Sequence, residues 1–154
     1  EFRCRTLAEA RDLALLLADA SMDPARTVVG YSELLINAVE HGNLGISYAD
    51  KSRLLGEGRW AEEVEQRLHS REYADRVVTV TLEKADGSSR VTIVDQGPGF
   101  DWQSYLEFSP ERVFDLHGRG IAMSKAVSFD SLEYQGRGNT VVATVRLPNA
   151  GEPK

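Results

Sequence analysis

The chain has 154 residues, which is enough for one domain with its own hydrophobic core. Its formal net charge of −6 argues against a nucleic-acid-binding domain, whose affinity depends on a basic surface. The single cysteine, Cys4, excludes an intrachain disulfide and a multi-cysteine zinc site, and no apolar run reaches the roughly 20 residues of a membrane span. With no visible signal peptide, these features favour a cytoplasmic protein that binds neither nucleic acid nor membrane. Because the sequence begins at Glu1 rather than Met, one interpretation is that it is part of a longer chain.

The N-terminal third predicts two helices. Phe2–Arg5 fits a short strand or a linker, and Thr6-Leu-Ala-Glu9 has the form of a capping box that begins a helix reaching about Ala20. Ser21–Pro24 predicts a stop and a restart, because proline suits the first turn of a helix. The second helix should run from about Pro24 to His41.

The second helix carries a polar face near its end. At about 100° per residue, Glu33, Asn37 and Glu40 align on one face, opposite an apolar face formed by Val28, Tyr31, Leu35, Ala38 and Val39. Gly42 is predicted to end the helix in the left-handed conformation. A carboxylate and a carboxamide one turn apart suit a magnesium–phosphate site, since the amide oxygen is a hard ligand. The alternative is that these residues are only the solvated face of an amphipathic helix.

Residues 44–75 carry no strand signal and are predicted to be a partly helical insertion within a single domain of residues 1–154. Tyr48–Leu55 and Trp60–His69 read as two short helices separated by Gly56-Glu-Gly58. Roughly thirty residues are long for a plain connection inside a compact domain. The many charges of the Trp60–His69 helix favour a solvated face over a binding site.

The C-terminal half switches to β-branched runs. These predict two pairs of strands, at Val77–Glu83 with Arg90–Asp95 and at Asp130–Gln135 with Thr140–Leu147. Asp86-Gly87 is a hairpin signal between the first two strands. Between the pairs lie a mobile loop, Asp101–His117, and a helix, Arg119–Val127. Helices followed by hairpin strands predict an α/β fold, a two-layer sandwich with a mixed, mainly antiparallel sheet covered by helices on one face.

Three glycine motifs accompany these elements. Asp95-Gln-Gly97-Pro-Gly99 ends a strand, where two glycines allow the backbone to approach a flat ligand and the aspartate can accept a hydrogen bond from an exocyclic amine. Gly118-Arg119-Gly120 opens a helix whose first amides attract anions, and Arg119 could add a charge-assisted contact. Gly136-Arg-Gly-Asn-Thr140 turns into the last strand. Taken singly, each is also compatible with an ordinary turn or loop.

In this order, the motifs resemble those of the GHKL superfamily of ATPases, which share the Bergerat nucleotide-binding fold. Glu33-Leu-Leu-Ile-Asn37-Ala-Val-Glu-His-Gly42 looks like their N box. Val94–Phe100 looks like the first glycine box, and Gly118–Ile121 followed by Met123 looks like the second. The resemblance extends from about Thr6 to Leu147 and is closest to the anti-sigma-factor serine/threonine kinases of bacteria and related regulatory ATPase domains.

The resemblance implies ATP and Mg²⁺ as cofactors and gives the site residues their roles. Asn37 would ligate the metal, and Asp95 would bind the adenine amino group directly and through a water shared with Thr140. Gly97 and Gly99 would shape the adenine pocket. The second glycine box would bind phosphates, and its members are Gly118, Arg119, Gly120 and Ile121. Glu33 would be the general base, and Asp101–His117 would form the ATP lid.

The function implied first is an ATP-dependent serine/threonine protein kinase that phosphorylates an anti-anti-sigma-like partner. A sigma factor or another protein would be a further partner, and a homodimer is compatible with this interpretation. The second interpretation is a nucleotide-controlled regulatory ATPase module that binds its partner without phosphotransfer. The third is the catalytic domain of a histidine kinase, which ranks last because no helical hairpin with a phosphoacceptor histidine is visible. The insertion would either dock a partner or only decorate the fold.

Overall fold

The computed structural model describes residues 1–105 and 119–147. The strands are β1 (Phe2–Cys4), β2 (Val78–Ala85), β3 (Ser88–Val94), β4 (Ser131–Gln135) and β5 (Thr140–Arg146). The helices are α1 (Leu7–Asp19), α2 (Pro24–Asn37), α3 (Tyr48–Gly56), α4 (Trp60–His69) and α5 (Gly120–Met123). Two π-helical segments, Ala38–Asn43 and Ser124–Ser128, continue α2 and α5, and Trp102–Tyr105 is a 3₁₀ turn.

The five strands form one sheet in the order β1-β2-β3-β5-β4. Each adjacent pair is antiparallel, so the described strands contain no parallel pairing of the kind that a mixed sheet would have. In the β2–β3 hairpin, Ala85 pairs with Ser88 and leaves Asp86-Gly87 as a two-residue turn. Gly87 has a φ of 72°, which a residue without Cβ adopts at little cost. The predicted hairpin is confirmed.

The core lies between the sheet and one layer of helices, which confirms the predicted two-layer α/β sandwich. Alternate strand residues face the helices and are buried: Val78, Val80, Val91, Ile93, Val141, Ala143 and Val145. They join one apolar cluster with α1 and α2 residues such as Leu17, Tyr31 and Leu35. The intervening strand residues, for example Thr79 and Thr92, are more exposed, as period-two alternation requires.

The predicted starts of both N-terminal helices are confirmed. Thr6 N donates to Glu9 Oε2 (3.0 Å) and Glu9 N donates to Thr6 Oγ1 (3.2 Å), which completes the capping box of α1. Asp23 caps α2 by accepting a hydrogen bond from Arg26 N at 3.2 Å, and Pro24 occupies the first turn. These two caps determine how the helices enter the layer that covers the sheet.

The predicted end of the second helix is wrong. Gly42 does not stop the helix in a left-handed conformation, because it lies inside the π-helical segment Ala38–Asn43. The positive φ, 63°, occurs instead at Gly45. A π-helical turn shifts the side chains that follow it relative to an α-helix. Glu40 is consequently only 1% exposed and does not share the solvated face predicted for Glu33 and Asn37.

The predicted insertion contains two helices, α3 and α4, close to the expected bounds. Leu54, Val64 and Leu68 are buried and join the core cluster, so the insertion packs onto the domain. Across the parts of the chain that the structure describes, no helix is both long and apolar enough to cross a bilayer.

Candidate functional site

A cavity of about 490 Å³ opens between the end of α2 and the ends of the central strands. Its size lies within the range typical of small-molecule sites, roughly 300–1,000 Å³. Most of its wall is formed by three segments: the junction of α2 with the π-helical segment, the start of the insertion, and the loop after β3. Their lining residues include Leu34, Asn37, Ala38, His41, Gly42, Gly45, Ile46, Ser47, Tyr48, Ala49, Asp95, Pro98, Gly99 and Phe100.

Asp95 stands at the mouth of β3, where its main chain is held by Asn139. Asp95 N donates to Asn139 O at 3.0 Å, and Asn139 Nδ2 donates to Asp95 O at 3.2 Å. The carboxylate accepts a hydrogen bond from Gly97 N at 2.8 Å. Burial raises the pKa of Asp95 to about 6, against the lowering influence of the Gly97 hydrogen bond. A carboxylate with so little solvation favours a ligand that brings a hydrogen-bond donor.

Glycines bring three backbone segments together around Asp95. A Cβ atom on Gly42 would lie 2.4 Å from Asp95 Cγ, and one on Gly97 would lie 2.2 Å from the carbonyl oxygen of Gly42. Gly99 has a φ of 83°, and its Cβ would lie 2.0 Å from the carbonyl oxygen of Arg137. Any larger residue at these positions would separate the π-helical segment, the β3 loop and the β4–β5 turn. Gly97 itself lies behind the cavity wall rather than in it.

Asn43 joins the π-helical segment to the loop after β3. Its side chain is 1% exposed, and its Oδ1 accepts a hydrogen bond from Gln96 N at 2.7 Å. Its carbonyl oxygen accepts a hydrogen bond from Arg76 Nη1 at 3.0 Å. This hydrogen bond to a buried amide oxygen ties the π-helical segment to the loop after β3. Sequence reasoning gave Asn43 no role, because its partner lies 53 positions away.

Asn37 lines another part of the cavity, and Glu33 lies beside Asn37. Asn37 Nδ2 donates to Glu33 Oε1 at 3.3 Å, so this hydrogen bond uses the amide nitrogen and not the oxygen. The start of α5 lies directly against them, because a Cβ atom on Gly120 would be 1.8 Å from Glu33 Oε1. Because Asn37 follows Glu33 by four residues in α2, the carboxylate and the amide lie together. Because Gly120 has no side chain, the start of α5 lies next to the carboxylate.

The predicted site residues differ in where they lie relative to the cavity. Four line the cavity directly: Asn37, Asp95, Gly99 and Ile121. Glu33, Gly97 and Gly120 contact residues of the wall or its neighbours, and Arg119 is exposed at the start of α5. Gly118 and most of the predicted lid lie outside the described residues.

Thr140, for which the resemblance implies a water shared with Asp95, does not line the cavity. The cavity is lined by its neighbours Asn139 and Val141, and Val141 faces it together with its register partner Ile93. Because side chains alternate along a strand, Thr140 and its partner Val94 lie on the opposite face of the sheet. The structure therefore places Asn139, rather than Thr140, beside Asp95.

Aromatic rings that sequence reasoning did not connect also meet at the cavity. The ring centroids of His41 and Tyr48 are 4.0 Å apart, and those of Tyr48 and Tyr105 are 5.2 Å apart in a stacked arrangement. Phe100 contacts Tyr105 and Tyr134 edge-on, with centroids 5.6 and 5.3 Å apart. Five segments of the chain contribute these rings, so no local sequence pattern could have revealed the cluster.

The comparison with protein families decides what kind of site this is. Residues 66–145, more than half of the chain, match the family model described as a histidine kinase-like ATPase domain. The chain belongs to this family. It is therefore an ATP-binding ATPase domain of the GHKL type. No curated protein sequence matches the chain. The family match covers α4's end through β5, so Glu33 and Asn37 lie before the matched residues.

The family implies the use of ATP, typically with Mg²⁺, and the cavity fits both. Gly42 and Gly99 line the cavity, and their close contacts with Asp95 and Arg137 hold the backbone segments that form its wall. The buried carboxylate of Asp95 suits the amino group of a purine, and the amide oxygen of Asn37 is the type of hard ligand that Mg²⁺ prefers. The acidic Glu33 lies one helical turn from Asn37.

Proposed function

We propose that this domain is an ATP-dependent serine/threonine protein kinase of the anti-sigma-factor type that phosphorylates an anti-anti-sigma-like protein. The observation that supports this most is the position of the Glu33 carboxylate, next to Asn37 and against the first residue of α5. A base at this position would stand where the phosphate end of a nucleotide meets an incoming hydroxyl group. Catalysis of phosphoryl transfer consists mainly of positioning, charge neutralisation and one such base.

Each residue of the site has a separate proposed role. Asp95 accepts a hydrogen bond from the adenine amino group, and Asn139 holds the Asp95 backbone in place. Asn37 would hold Mg²⁺, which neutralises phosphate charge when bound. Gly120 allows the start of α5 to pack directly against the Glu33 carboxylate, which places the proposed base beside the proposed phosphate end of the site.

Glu33 acts on the protein substrate. It accepts the proton of the serine or threonine hydroxyl as that oxygen forms a bond to the γ-phosphorus and the bond to the β-phosphate oxygen breaks. The products are a phosphorylated partner and ADP. The partner's changed charge would then switch its binding, including any competition with a sigma factor for this domain. A cytoplasmic location agrees with this role.

One observation favours a second function, a regulatory ATPase module without phosphotransfer. The Glu33 Oε1 atom already accepts the Asn37 amide hydrogen bond and is packed against Gly120. Glu33 could then serve only to orient Asn37. A histidine kinase catalytic domain is the third candidate, and the family description favours it only at the level of the fold.

Radiolabelled ATP distinguishes the three functions. The domain is incubated with Mg·[γ-³²P]ATP and candidate anti-anti-sigma-like proteins, and the label is tested for stability in acid and in alkali. Acid-stable label on the partner's serine or threonine, lost with Glu33→Gln, supports the kinase. Acid-labile label would support histidine phosphorylation. Binding of Mg·ATP and partner without any transferred label would support the regulatory module.

A further inference from the structure

The insertion of residues 44–75 forms part of the cavity. Five consecutive residues at its beginning line the wall, from Gly45 to Ala49. Ile46 is fully buried, and its carbonyl oxygen is hydrogen-bonded to His41 Nδ1. The wall would therefore be incomplete without this segment, although the remainder of α3 and α4 lies outside it.

The two ends of the cavity can be told apart, given the proposed function. Asn37 and His41 both line the cavity, and Asn37 is hydrogen-bonded to Glu33. Glu33 lies at the start of α5, which is the phosphate end. Gly42, next to His41, contacts Asp95, which is the adenine end.

Tyr48 lies at the adenine end. Its ring centroid is 4.0 Å from that of His41 and 5.2 Å from that of Tyr105, with an angle of 24° between the Tyr48 and Tyr105 planes. Tyr48 is half-buried and lines the cavity, as does Tyr105. The two tyrosines therefore stack on each other beside His41, and this aromatic cluster forms part of the cavity wall.

The insertion is fixed firmly enough to hold Tyr48 in place. Lys51 Nζ, one turn after Tyr48, forms a 2.6 Å salt bridge with Glu40 Oε2, and Glu40 is only 1% exposed. From α4, Arg67 Nη1 donates to the carbonyl oxygen of Leu44 at 2.8 Å. Lys51 also lies 5.6 Å from the centre of the Trp60 ring in α4. These contacts preorganise the segment before a ligand arrives.

We propose that Tyr48 is a specificity-determining residue that contacts the nucleoside, and that the insertion is a functional part of the nucleotide site. The Tyr48 ring, held by its neighbours His41 and Tyr105, contacts the adenine ring where Tyr48 lines the cavity, while Asp95 binds the amino group. The inference rests on the proposed nucleotide site. It gives the insertion a role other than partner docking or decoration.

Calorimetric titration of the whole domain with Mg·ATP and with Mg·ADP tests this. Because stacking of one base on an aromatic ring is worth about 1–3 kcal/mol, Tyr48→Ala should weaken both nucleotides by about tenfold or more. The loss should be equal for the two, since the nucleoside is common to them. Tyr48→Phe, which keeps the ring, should stay within about twofold of the wild type.

Leu55→Ala is the matched control. Leu55 lies on the same helix, is 44% exposed and does not line the cavity, so its truncation should leave both affinities unchanged. The melting temperature without nucleotide is measured for every variant. If Tyr48→Ala lowers it, Tyr48→Leu replaces that variant, because leucine fills the wall without an aromatic ring, and the same equal loss is expected.

The outcomes separate this inference from the proposed function. Wild-type affinity in Tyr48→Ala, or a loss confined to ATP, would overturn the role of Tyr48 while leaving the ATP site intact. An equally large loss in Leu55→Ala would also overturn it, because the effect would then be a general disturbance of α3. Failure of the wild-type domain to bind either nucleotide would instead reject the nucleotide site itself.

Discussion

The carboxylate of Glu33 lies directly against Gly120, so close that a Cβ atom on the glycine would be 1.8 Å from Glu33 Oε1. These residues are far apart in sequence, and their contact joins the N-terminal helical layer to the start of α5. The contact places the proposed base where α5 begins. It also makes Gly120 a sensitive probe of the position of that base.

We expect Gly120→Ala to displace the Glu33 carboxylate. The added methyl group meets the end of a flexible side chain, which can rotate away, so the melting temperature should change little. Phosphotransfer to the partner should fall by about 100-fold or more, the size typical of general-base catalysis. Initial rates with radiolabelled ATP measure this, with Glu33→Gln as the reference variant. A Gly120→Ala domain of normal activity would show that the position of Glu33 is unimportant.

Gly97→Ala should act on stability, because its Cβ would lie 2.2 Å from a backbone oxygen, that of Gly42. A backbone atom cannot rotate away, so the loop after β3 and the π-helical segment must separate. We expect a loss of about 2 kcal/mol or more in the free energy of unfolding, measured in urea.

Gly56→Ala is the control for this change. Gly56 is the last residue of α3, and a Cβ there would meet no atom within 4 Å. Alanine in a helix is favoured over glycine by about 0.5–1 kcal/mol, so this variant should be as stable as the wild type or slightly more stable. Equal effects of the two substitutions would contradict the packing of Gly97 against Gly42.

The raised pKa of Asp95 predicts two pH effects. The folded-state pKa of about 6 exceeds the ordinary 3.8, so between these values the folded protein binds more protons than the unfolded chain. The contribution of Asp95 to the free energy of unfolding should therefore fall as pH rises from about 4 to about 6. Binding of the adenine amino group needs the charged form, so ATP affinity should fall as pH drops through about 6.

Asp95→Asn provides the test of both effects. It should bind ATP more than about tenfold more weakly than the wild type at neutral pH, because it removes a charge-assisted hydrogen bond. The ATP affinity of the variant should no longer change with pH through the ionisation of Asp95. The pH dependence that comes from the nucleotide phosphates should stay the same in both proteins. Calorimetry at pH 5.5 and 7.5 measures both, and an identical pH dependence in the two proteins would reject the assignment of this titration to Asp95.

The salt bridge between buried Glu40 and partly exposed Lys51 should be important for stability. Burial raises the pKa of Glu40, and the hydrogen bond from Lys51 opposes this rise. Lys51→Met would leave the Glu40 carboxylate buried without its cation, at a cost of about 3–5 kcal/mol in unfolding free energy. The double variant Glu40→Gln/Lys51→Met should recover much of that loss, because no charge then remains buried. Urea denaturation of the three variants and the wild type measures the coupling, and purely additive effects would contradict it.

Local patterns were sufficient for most of the fold. The Thr6–Glu9 capping box, the Asp86-Gly87 turn and the β-branched runs each act over a few residues, so their structures follow from short-range sterics and hydrogen bonds. The spacing of Glu33 and Asn37 likewise places them together on any α-helix.

The π-helical segment is the main reason that the prediction for the end of the second helix was wrong. An ideal helical wheel groups Glu40 with Glu33 and Asn37, whereas Glu40 is turned inward to Lys51. It also gives Gly42 a role in ending the helix, whereas the glycine is needed for the close approach of Asp95. The sequence could not show that Asn139 and Val141 line the cavity while Thr140 does not, because only the strand register determines this.

The sequence by itself determined the elements, their order and the chemical types of the site residues, since these depend on neighbours a few positions apart. Tertiary structure alone decided which side chains share the cavity. Gly42 meets Asp95, Glu33 meets Gly120 and Tyr48 meets Tyr105 because long-range packing brings distant segments into contact. The same packing made the beginning of the insertion, a segment without any motif, a wall of the site.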